Sequence, residues 1–464
     1  MELSGPPFTP PRVLPLARRP GRIGFIASFV RNPLEIVPGA IYEGDIFESG
    51  TPRAPRIWVS APSLIKAVLL DERDKFRKLQ QIKLLSPLLG KGVLTSEGAD
   101  WKWQRQASAP MFKPQDLLGF VPAFVRAAEA TVERWRVSPA GTVHNIDEDM
   151  TRATFDVITT TLLPSSDESF ARTVQESILT LQRYGGWDIM FASLNVPRWV
   201  PKPGMFEEPR AVLRLRGAVM KLMRELRDKR KVDGEPDDLM RRLIAARDPE
   251  SGRAMDDEQL VDNLLTFYLA GHETTAKALT WTLYLLSRSP QWTDLLVDEI
   301  ARVTGGAPVR GDHIDKLVLT QQVIKESMRL YPPVPMMTRQ AVADARIGDR
   351  AIAKGTSVLM SIYAIHRHSK RWERPHEFDP TRFAPSREAS IPRYQYMPFG
   401  AGPRICIGMP FAMIEATAIL ATFLQHAGFE WSGTEEPVPV ARVTLIPKGG
   451  MPMKVLLRGQ TPSA

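Results

Sequence analysis

The only cysteine of this 464-residue chain lies in the segment FGAGPRICIG, residues 399–408. Three glycines surround it, Arg404 precedes it, and the apolar helical pattern GMPFAMIEATAILATFLQ begins directly after it. The N-terminus of a helix offers unpaired backbone N–H groups and a partial positive charge, which together attract an anion. A neighbouring arginine acts in the same direction. The sequence therefore predicts that Cys406 is present as a thiolate in a loop that a flat ligand can approach closely.

Three roles are open to such a thiolate. A buried, inert residue is the usual role of a single cysteine. A nucleophile or redox thiol would need a histidine base or a resolving cysteine, and the chain has no second cysteine. An axial ligand to haem iron needs only the thiolate, a dry pocket and hydrogen bonds to the sulfur.

A second polar cluster interrupts the long apolar segment 257–288. Its apolar positions recur every three or four residues, which predicts one helix about 48 Å long. AGHETT, residues 270–275, places an acid and two hydroxyls in the middle of that helix. Polar groups in such surroundings are either satisfied locally or serve a ligand, so a threonine bonded to its own helix and a solvated Glu273 are the plain alternatives. A zinc motif HExxH is excluded because residue 276 is alanine.

Two acid–base pairs have helical spacing. Glu326 and Arg329 in KESMRL lie on one face of a predicted helix and can form an ion pair. Lys277 follows Glu273 by four residues, which is also a favourable spacing. For Lys277 the sequence leaves two interpretations open, a partner of Glu273 or an ordinary surface lysine.

The composition is that of a folded globular protein, with 43% apolar and 24% charged residues. The net charge of +9 is spread along the chain apart from RELRDKRK at 224–231, so we expect an acidic protein partner and no nucleic acid. A single cysteine excludes an internal disulfide and favours a reducing compartment. The apolar run 23–30 is too short to span a bilayer. We therefore expect a soluble, cytoplasmic protein without a membrane segment.

Most of the chain is predicted to be helical. Apolar residues recur at helical spacing in segments 115–136, 149–163, 168–184, 208–231, 257–288, 291–303 and 317–330. Strand-like segments are short, at 56–60, at 356–363 and within the last thirty residues. The expected fold class is mainly α with small β-sheets.

The cysteine segment resembles the haem-binding signature of the cytochrome P-450 superfamily, FxxGxRxCxG, at Phe399, Gly402, Arg404, Cys406 and Gly408. KESMRL and FDPTRF, residues 378–383, are similar to further family elements and follow in the family's order. The resemblance extends from about residue 20 to the C-terminus. It implies a cytochrome P-450 fold with a long central helix over a haem, an N-terminal extension at 1–20 and a single haem domain at 21–464.

The resemblance also implies roles for individual residues. Cys406 would be the axial ligand of the iron of haem b, and Phe399 would cover the loop. A network of Glu326, Arg329 and Arg382 would hold that loop. The haem propionates would be contacted by Trp101, Arg105, Arg339 and Arg404.

On the oxygen side, the resemblance concerns Ala270, Gly271, Glu273 and Thr274. Glu273 would admit protons from solvent, and Thr274 would hydrogen-bond the reacting oxygen and hold an ordered water. Gly271 would leave room for oxygen and substrate beside the helix.

The implied function is that of a haem-thiolate monooxygenase that hydroxylates a C–H bond or epoxidises an alkene of a hydrophobic small molecule. Electrons would come from NAD(P)H through a separate ferredoxin or flavodoxin, which would dock near Lys102, Lys113, Arg393 and Arg404. A haem domain taken from a longer reductase fusion stays open. We expect a monomer.

Substrate contacts are expected in the apolar segments 79–94 and 183–206, along the central helix and after the ExxR helix. The alternatives are a peroxide-driven peroxygenase or an isomerase of the same fold, and a haem-binding sensor or carrier without turnover.

Overall fold

The computed structural model describes residues 7–16, 21–52, 54–162, 199–228 and 239–458, together with scattered positions between 170 and 197. The described residues group into two compact units. One comprises residues 1–76, 117–155 and 273–464, and the other comprises residues 77–116 and 156–272. The expected boundary at residue 20 falls on 17–20, outside the described residues, so the N-terminal extension and the single domain over 21–464 stay predictions.

Helices make up most of the described chain. They are α1 (Arg22–Arg31), α2 (Pro62–Lys66), α3 (Leu79–Leu89), α4 (Gly98–Ser108), α5 (Pro114–Leu117), α6 (Val121–Arg136), α7 (Ile146–Leu162), α8 (Glu207–Asp228), α9 (Leu239–Ala245), α10 (Asp257–Ser287), α11 (Pro290–Thr304), α12 (Val318–Leu330), α13 (Ile362–Ile365), α14 (Pro385–Glu388) and α15 (Met409–His426). A π-helical turn follows α2 at Ala67–Asp71. The expectation of a mainly helical chain is confirmed.

The strands are short. They are β1 (Ile46–Thr51), β2 (Ala54–Val59), β3 (Phe76–Arg77), β4 (Val143–Asn145), β5 (Met336–Ala341), β6 (Ala345–Ile347), β7 (Arg350–Ile352), β8 (Ser357–Ser361), β9 (Ala427–Trp431), β10 (Pro439–Ala441), β11 (Leu445–Pro447) and β12 (Pro452–Leu457). They form a five-stranded sheet in the order β1-β2-β8-β5-β3, a three-stranded sheet β4-β12-β9, and the pairs β6-β7 and β10-β11. In the largest sheet β2 pairs parallel with β8, and β8 pairs antiparallel with β5.

Local chemistry explains where several elements begin and end. α11 begins at Pro290 and is followed by Gly305 with φ +62°, the left-handed position that glycine adopts at little cost. α12 ends at Leu330 because residues that precede a proline disfavour the helical conformation, and Pro332 follows Tyr331.

Two of the predicted boundaries are wrong. The helix expected over 115–136 is divided, with α5, a 3₁₀ turn at Leu118–Phe120, and then α6, which has Pro122 in its first turn. A proline is accepted in the first turn of a helix but lacks the N–H that would continue an earlier one. The strand expected over 356–363 ends at Ser361, whose hydroxyl accepts a hydrogen bond from Ala364 N and caps α13. The helix expected at 168–184 lies partly outside the described residues.

The largest sheet packs into an apolar core. Val59 and Ile65 are fully buried in this core, together with Val358 and Met360 of β8. Met397 and Ala401 belong to the same core, so the segment that leads into the cysteine loop is fixed to the sheet. None of the helices in the described ranges is long and apolar enough to cross a membrane.

In the second unit, the loop after α3 is bonded to α10. Lys91 N donates to Asp262 Oδ2 at 2.6 Å, and Val93 N donates to Asn263 Oδ1 at 2.8 Å. Arg216 of α8 forms an ion pair with Asp262 at 2.6 Å. Gly90 has φ +55°, and a Cβ there would lie 2.2 Å from Asp262 Oδ1. The C-terminal end of the apolar segment 79–94 is therefore positioned by one buried carboxylate.

We predict that Asp262→Ala lowers the free energy of unfolding by about 3 kcal/mol, because the change leaves a loop amide and a guanidinium unpaired. Urea unfolding followed by tryptophan fluorescence measures this. Glu258→Ala, which removes an exposed acid of the same helix, is the control and is expected to have little effect. Equal midpoints for the two variants would show that the loop does not depend on this carboxylate.

Candidate active site

The cysteine loop is a compact turn in the first unit. Cys406 N donates to Phe399 O at 2.9 Å, and Ile405 N donates to Gly402 O at 3.1 Å, which closes the loop upon itself. α15 begins at Met409, three residues after the cysteine. Cys406 is exposed, although cysteine is among the residue types most often buried, and Phe399 and Arg404 beside it are half-buried. The loop thus leaves Cys406 accessible.

Two glycines give this loop its shape. Gly402 has φ +72°, and a Cβ at that position would lie 2.6 Å from Leu69 O in the π-helical turn. Gly400 also has φ +72°, and its position is in van der Waals contact with Met337 of β5. A side chain at Gly402 would therefore push the loop away from its support.

A buried ion-pair network lies behind the loop. Glu326 and Arg329 on α12 are both fully buried, and Arg329 Nε donates to Glu326 Oε2 at 2.6 Å. Glu326 Oε1 accepts a hydrogen bond from Asp379 N at 2.9 Å and lies 3.4 Å from Arg382 Nε. The structure thus brings together the three residues that the sequence analysis grouped, and joins them to the FDPTRF segment.

His366, which the sequence analysis missed, connects this network to the cysteine loop. Arg329 Nη1 donates to His366 O at 2.8 Å, and Met397 N donates to His366 Nε2 at 2.8 Å. Burial, and then the positive charges of Arg329 and Arg367, lower the pKa of His366 to about 3. The imidazole is therefore neutral and accepts a hydrogen bond two residues before Phe399. No periodic signal in the sequence indicates this role.

Arg339 is placed on the strand that supports the loop. It is buried, and it lies two residues after Met337 on β5, so both project from the same face of the strand. Trp101 and Arg105 are four residues apart on α4 and both half-buried, which places them on one helix face in the second unit. Their contacts with a cofactor stay predictions.

The middle of α10 carries a stripe of accessible residues. Residues 260–268 and 275–286 are buried throughout, whereas Ala270 is exposed and Gly271, Glu273 and Thr274 are half-buried. Residues 270, 273 and 274 lie on one side of the helix. This helix is the expected long central element, running from Asp257 to Ser287.

Gly271 serves helix packing in this structure. A Cβ at position 271 would lie 3.1 Å from Ile158 Cδ1 of α7. The glycine therefore allows α7 to approach α10 closely, which is a different reason from the space for oxygen and substrate that the resemblance implied.

Lys277 matches neither of its two interpretations. It is buried, and its ammonium donates to Asp147 Oδ1 at 2.7 Å and to Thr151 Oγ1 at 3.3 Å, both on α7. It is therefore not a surface lysine. Glu273 instead accepts a hydrogen bond from the hydroxyl of Thr444 at 2.7 Å. Tertiary packing overrides the favourable helical spacing.

Glu415 on α15 is a second residue that the sequence analysis missed. Burial raises its pKa to about 8, and the nearby Thr275 hydroxyl offsets this only in part. Glu415 Oε2 and Thr275 Oγ1 are both buried, and neither atom forms a hydrogen bond of regular geometry with a described residue. The carboxyl of Glu415 is therefore protonated near neutral pH. It lies near Thr275, the residue that follows Thr274.

The comparisons with known proteins agree with this geometry. A sequence profile of the family described as Cytochrome P450 matches residues 41–453. A cytokinin hydroxylase of Arabidopsis thaliana is 33% identical over 408 residues, 86% of this chain and 78% of the relative. Cyclooctatin synthase of Streptomyces melanosporofaciens is 30% identical over 411 residues, 89% of this chain and 87% of the relative. Pentalenene oxygenase of Streptomyces avermitilis is 29% identical over 428 residues, 91% of this chain and 92% of the relative.

The chain belongs to the cytochrome P450 family. It is a haem b protein of the monooxygenase and hydroxylase class, and the expected fold and enzyme class are confirmed. The residues present fit the cofactor, because an outward-facing cysteine lies on a loop shaped by glycines, with Arg404 within the loop and Arg339 on the supporting strand.

We predict that His366→Ala lowers the free energy of unfolding by about 2–3 kcal/mol, since Met397 N loses its buried acceptor. The haem should also be released at lower urea concentration than in the wild type. His366→Gln, whose amide oxygen can accept the same bond, should recover part of the loss. If the alanine and glutamine variants release haem at the same midpoint as the wild type, His366 does not support the loop.

The raised pKa of Glu415 predicts a pH dependence. In the folded state the pKa of Glu415 is raised from its ordinary value of 4.5 to about 8. Because the folded protein then binds this proton more tightly than the unfolded chain, the free energy of unfolding falls as the pH rises from 4.5 through about 8. The Glu415→Gln variant, which cannot ionise, should therefore gain stability relative to the wild type across this range, by up to about 1.4 kcal/mol per pH unit. Parallel pH profiles of the urea midpoint for the wild type and for Glu415→Gln would contradict a raised pKa of Glu415.

Proposed function

We propose that this protein is a haem-thiolate monooxygenase that transfers one oxygen atom from dioxygen to a C–H bond or an alkene of a hydrophobic small molecule. The observation that carries the proposal is the exposed Cys406 in a loop that is connected to the buried Glu326–Arg329 pair through His366 and Met397. A cysteine held in this way presents a thiolate at a constant position, as an axial ligand requires.

In this proposal Cys406 would ligate the iron of haem b, which when bound would supply the centre for dioxygen chemistry. Phe399 would cover the cysteine loop, and Trp101, Arg105, Arg339 and Arg404 would bind the haem propionates. Guanidinium groups suit this role because they bind carboxylates through paired, charge-assisted hydrogen bonds.

Glu273 and Thr274 deliver protons in this proposal. Their helix face is accessible in the middle of a helix that is buried on both sides of it. Glu273 takes up protons from solvent, and the Thr274 hydroxyl passes them toward the reacting oxygen.

The substrate that we propose is an apolar, terpenoid-class molecule. The names of the Streptomyces relatives, cyclooctatin synthase and pentalenene oxygenase, suit such a class. The apolar segment 79–94 and the accessible face of α10 are the proposed contacts, which act mainly by excluding water. The other expected contact segment, 183–206, lies largely outside the described residues.

An acidic ferredoxin or flavodoxin is the proposed electron donor, supplied from NAD(P)H. Lys113 and Arg393 are exposed, whereas Lys102 already forms an ion pair with Glu250 at 3.2 Å. An acidic partner would have to compete with Glu250 for Lys102, so we expect Lys102 to contribute less than Lys113, Arg393 and Arg404. We further propose that the protein is a monomer and that it is located in the cytoplasm, a reducing compartment that suits a single cysteine.

We predict that Thr274→Ala lowers the product formed per NAD(P)H about tenfold or more and raises peroxide release, because proton transfer to the oxygen loses its donor. Terpenoid candidates are first selected by the shift they cause in the Soret band. Thr282→Val is the control, because that hydroxyl lies in a fully buried part of the same helix and donates to Ala278 O.

Turnover with peroxide alone distinguishes the alternative. A product yield with peroxide that matches the electron-supplied yield, and that Thr274→Ala leaves unchanged, would replace the monooxygenase proposal with a peroxygenase. Binding spectra without any oxygen consumption would indicate a sensor or carrier.

A further inference from the structure

The acid of the proposed proton path is held by a residue far away in the sequence. Thr444 Oγ1 donates to Glu273 Oε1 at 2.7 Å. Thr444 is only 2% exposed, so the bond is shielded from water, while Glu273 itself is half-buried. No other hydrogen bond or ion pair links Glu273 to a described residue. One oxygen of the Glu273 carboxylate is thus fixed by this hydrogen bond.

The hairpin that carries Thr444 is rigidly attached to the same unit. β10 and β11 pair antiparallel, and Arg442 N donates to Thr444 O at 2.8 Å in the turn between them. On one side, Asn32 donates to Pro439 O at 2.9 Å. On the other side, the Trp281 indole of α10 donates to Leu445 O at 2.9 Å. The Thr444 hydroxyl therefore has a defined position relative to Glu273.

The nearest alternative partner in the sequence is engaged elsewhere. Lys277 lies four residues after Glu273, but its ammonium is bound by Asp147 and Thr151. A direct ion pair would place a positive charge beside the Glu273 carboxylate. A single neutral hydroxyl instead fixes the orientation of the carboxylate and leaves its charge in place.

We propose that Thr444 is a positioning residue for Glu273, and that the β10–β11 hairpin sets the orientation from which this carboxylate delivers protons. The inference rests on the proposed monooxygenase function. A carboxylate that accepts a hydrogen bond at one oxygen is restricted in rotation, and proton relays lose efficiency when the donor group is misplaced. Removal of the hydroxyl should therefore affect oxygen use more than substrate binding.

The test compares Thr444→Val, which keeps the shape of the side chain, with Thr444→Ser, which keeps the hydroxyl. Thr444→Val should lower the product formed per NAD(P)H about tenfold or more, the scale of one charge-assisted hydrogen bond, and change KM less than twofold. Thr444→Ser should restore most of the coupling. In a Glu273→Gln background, which removes the charge to be positioned, Thr444→Val should have no further effect.

A measurement independent of turnover accompanies these assays. Urea midpoints of Glu273→Ala, Thr444→Val and the double variant should be non-additive, with the double variant no less stable than the worse single one. Additive midpoints, or a Thr444→Val enzyme with wild-type coupling, would overturn the proposal. A coupling loss that Thr444→Val causes equally in the Glu273→Gln background would also overturn it.

Failure of the proposed function gives a different pattern. In that case the wild type and Thr444→Ser would both form no product with electron supply, and the positioning role would fall with the function. Normal coupling in the wild type and in Thr444→Val together would instead reject the positioning role alone.

Discussion

The pairing of two fully buried charges, Glu326 and Arg329, is the interaction on which the position of the cysteine loop depends. Removing either group from water costs several kcal/mol, which only close pairing and further hydrogen bonds offset. Here the carboxylate is bonded to Arg329 and Asp379 N and lies near Arg382. The guanidinium also donates to His366 O. The conformation around the pair is strongly determined, because any rearrangement would leave a buried charge unpaired.

A short series of hydrogen bonds connects this ion pair to the segment that leads into the cysteine loop. His366, kept neutral by burial and neighbouring cations, accepts a hydrogen bond from Met397 N. Met397 belongs to the apolar core of the largest sheet, and the chain then turns at Gly400 and Gly402 against Met337 and Leu69. The loop is thus held from behind, so the cysteine side chain faces outward without contributing to the core. Glu273, the acid of the proposed proton path, is held separately, by α10 and the hairpin of Thr444.

The sequence predicted those parts of the site that have a local signature. The cysteine segment, the Glu326–Arg329 spacing and the length of α10 all depend on neighbouring residues along the chain. His366, Glu415 and Thr444 were missed because their roles come from tertiary packing; the bond from Thr444 to Glu273 joins residues 171 positions apart. Lys277 shows the same limit, since helical spacing favoured Glu273 whereas packing against α7 supplied Asp147. The predicted element boundaries were wrong where a proline or a capping serine ended one element and began another within a continuous apolar pattern.

The most direct test of the account is the absorption spectrum of the reduced carbonyl adduct of the wild type and of Cys406→His. The account predicts that the wild-type adduct absorbs where thiolate-ligated haem does, and that Cys406→His retains haem but absorbs as an imidazole-ligated protein. A wild-type adduct without the thiolate band, or the same band in Cys406→His, would contradict the assignment of Cys406 as the axial ligand.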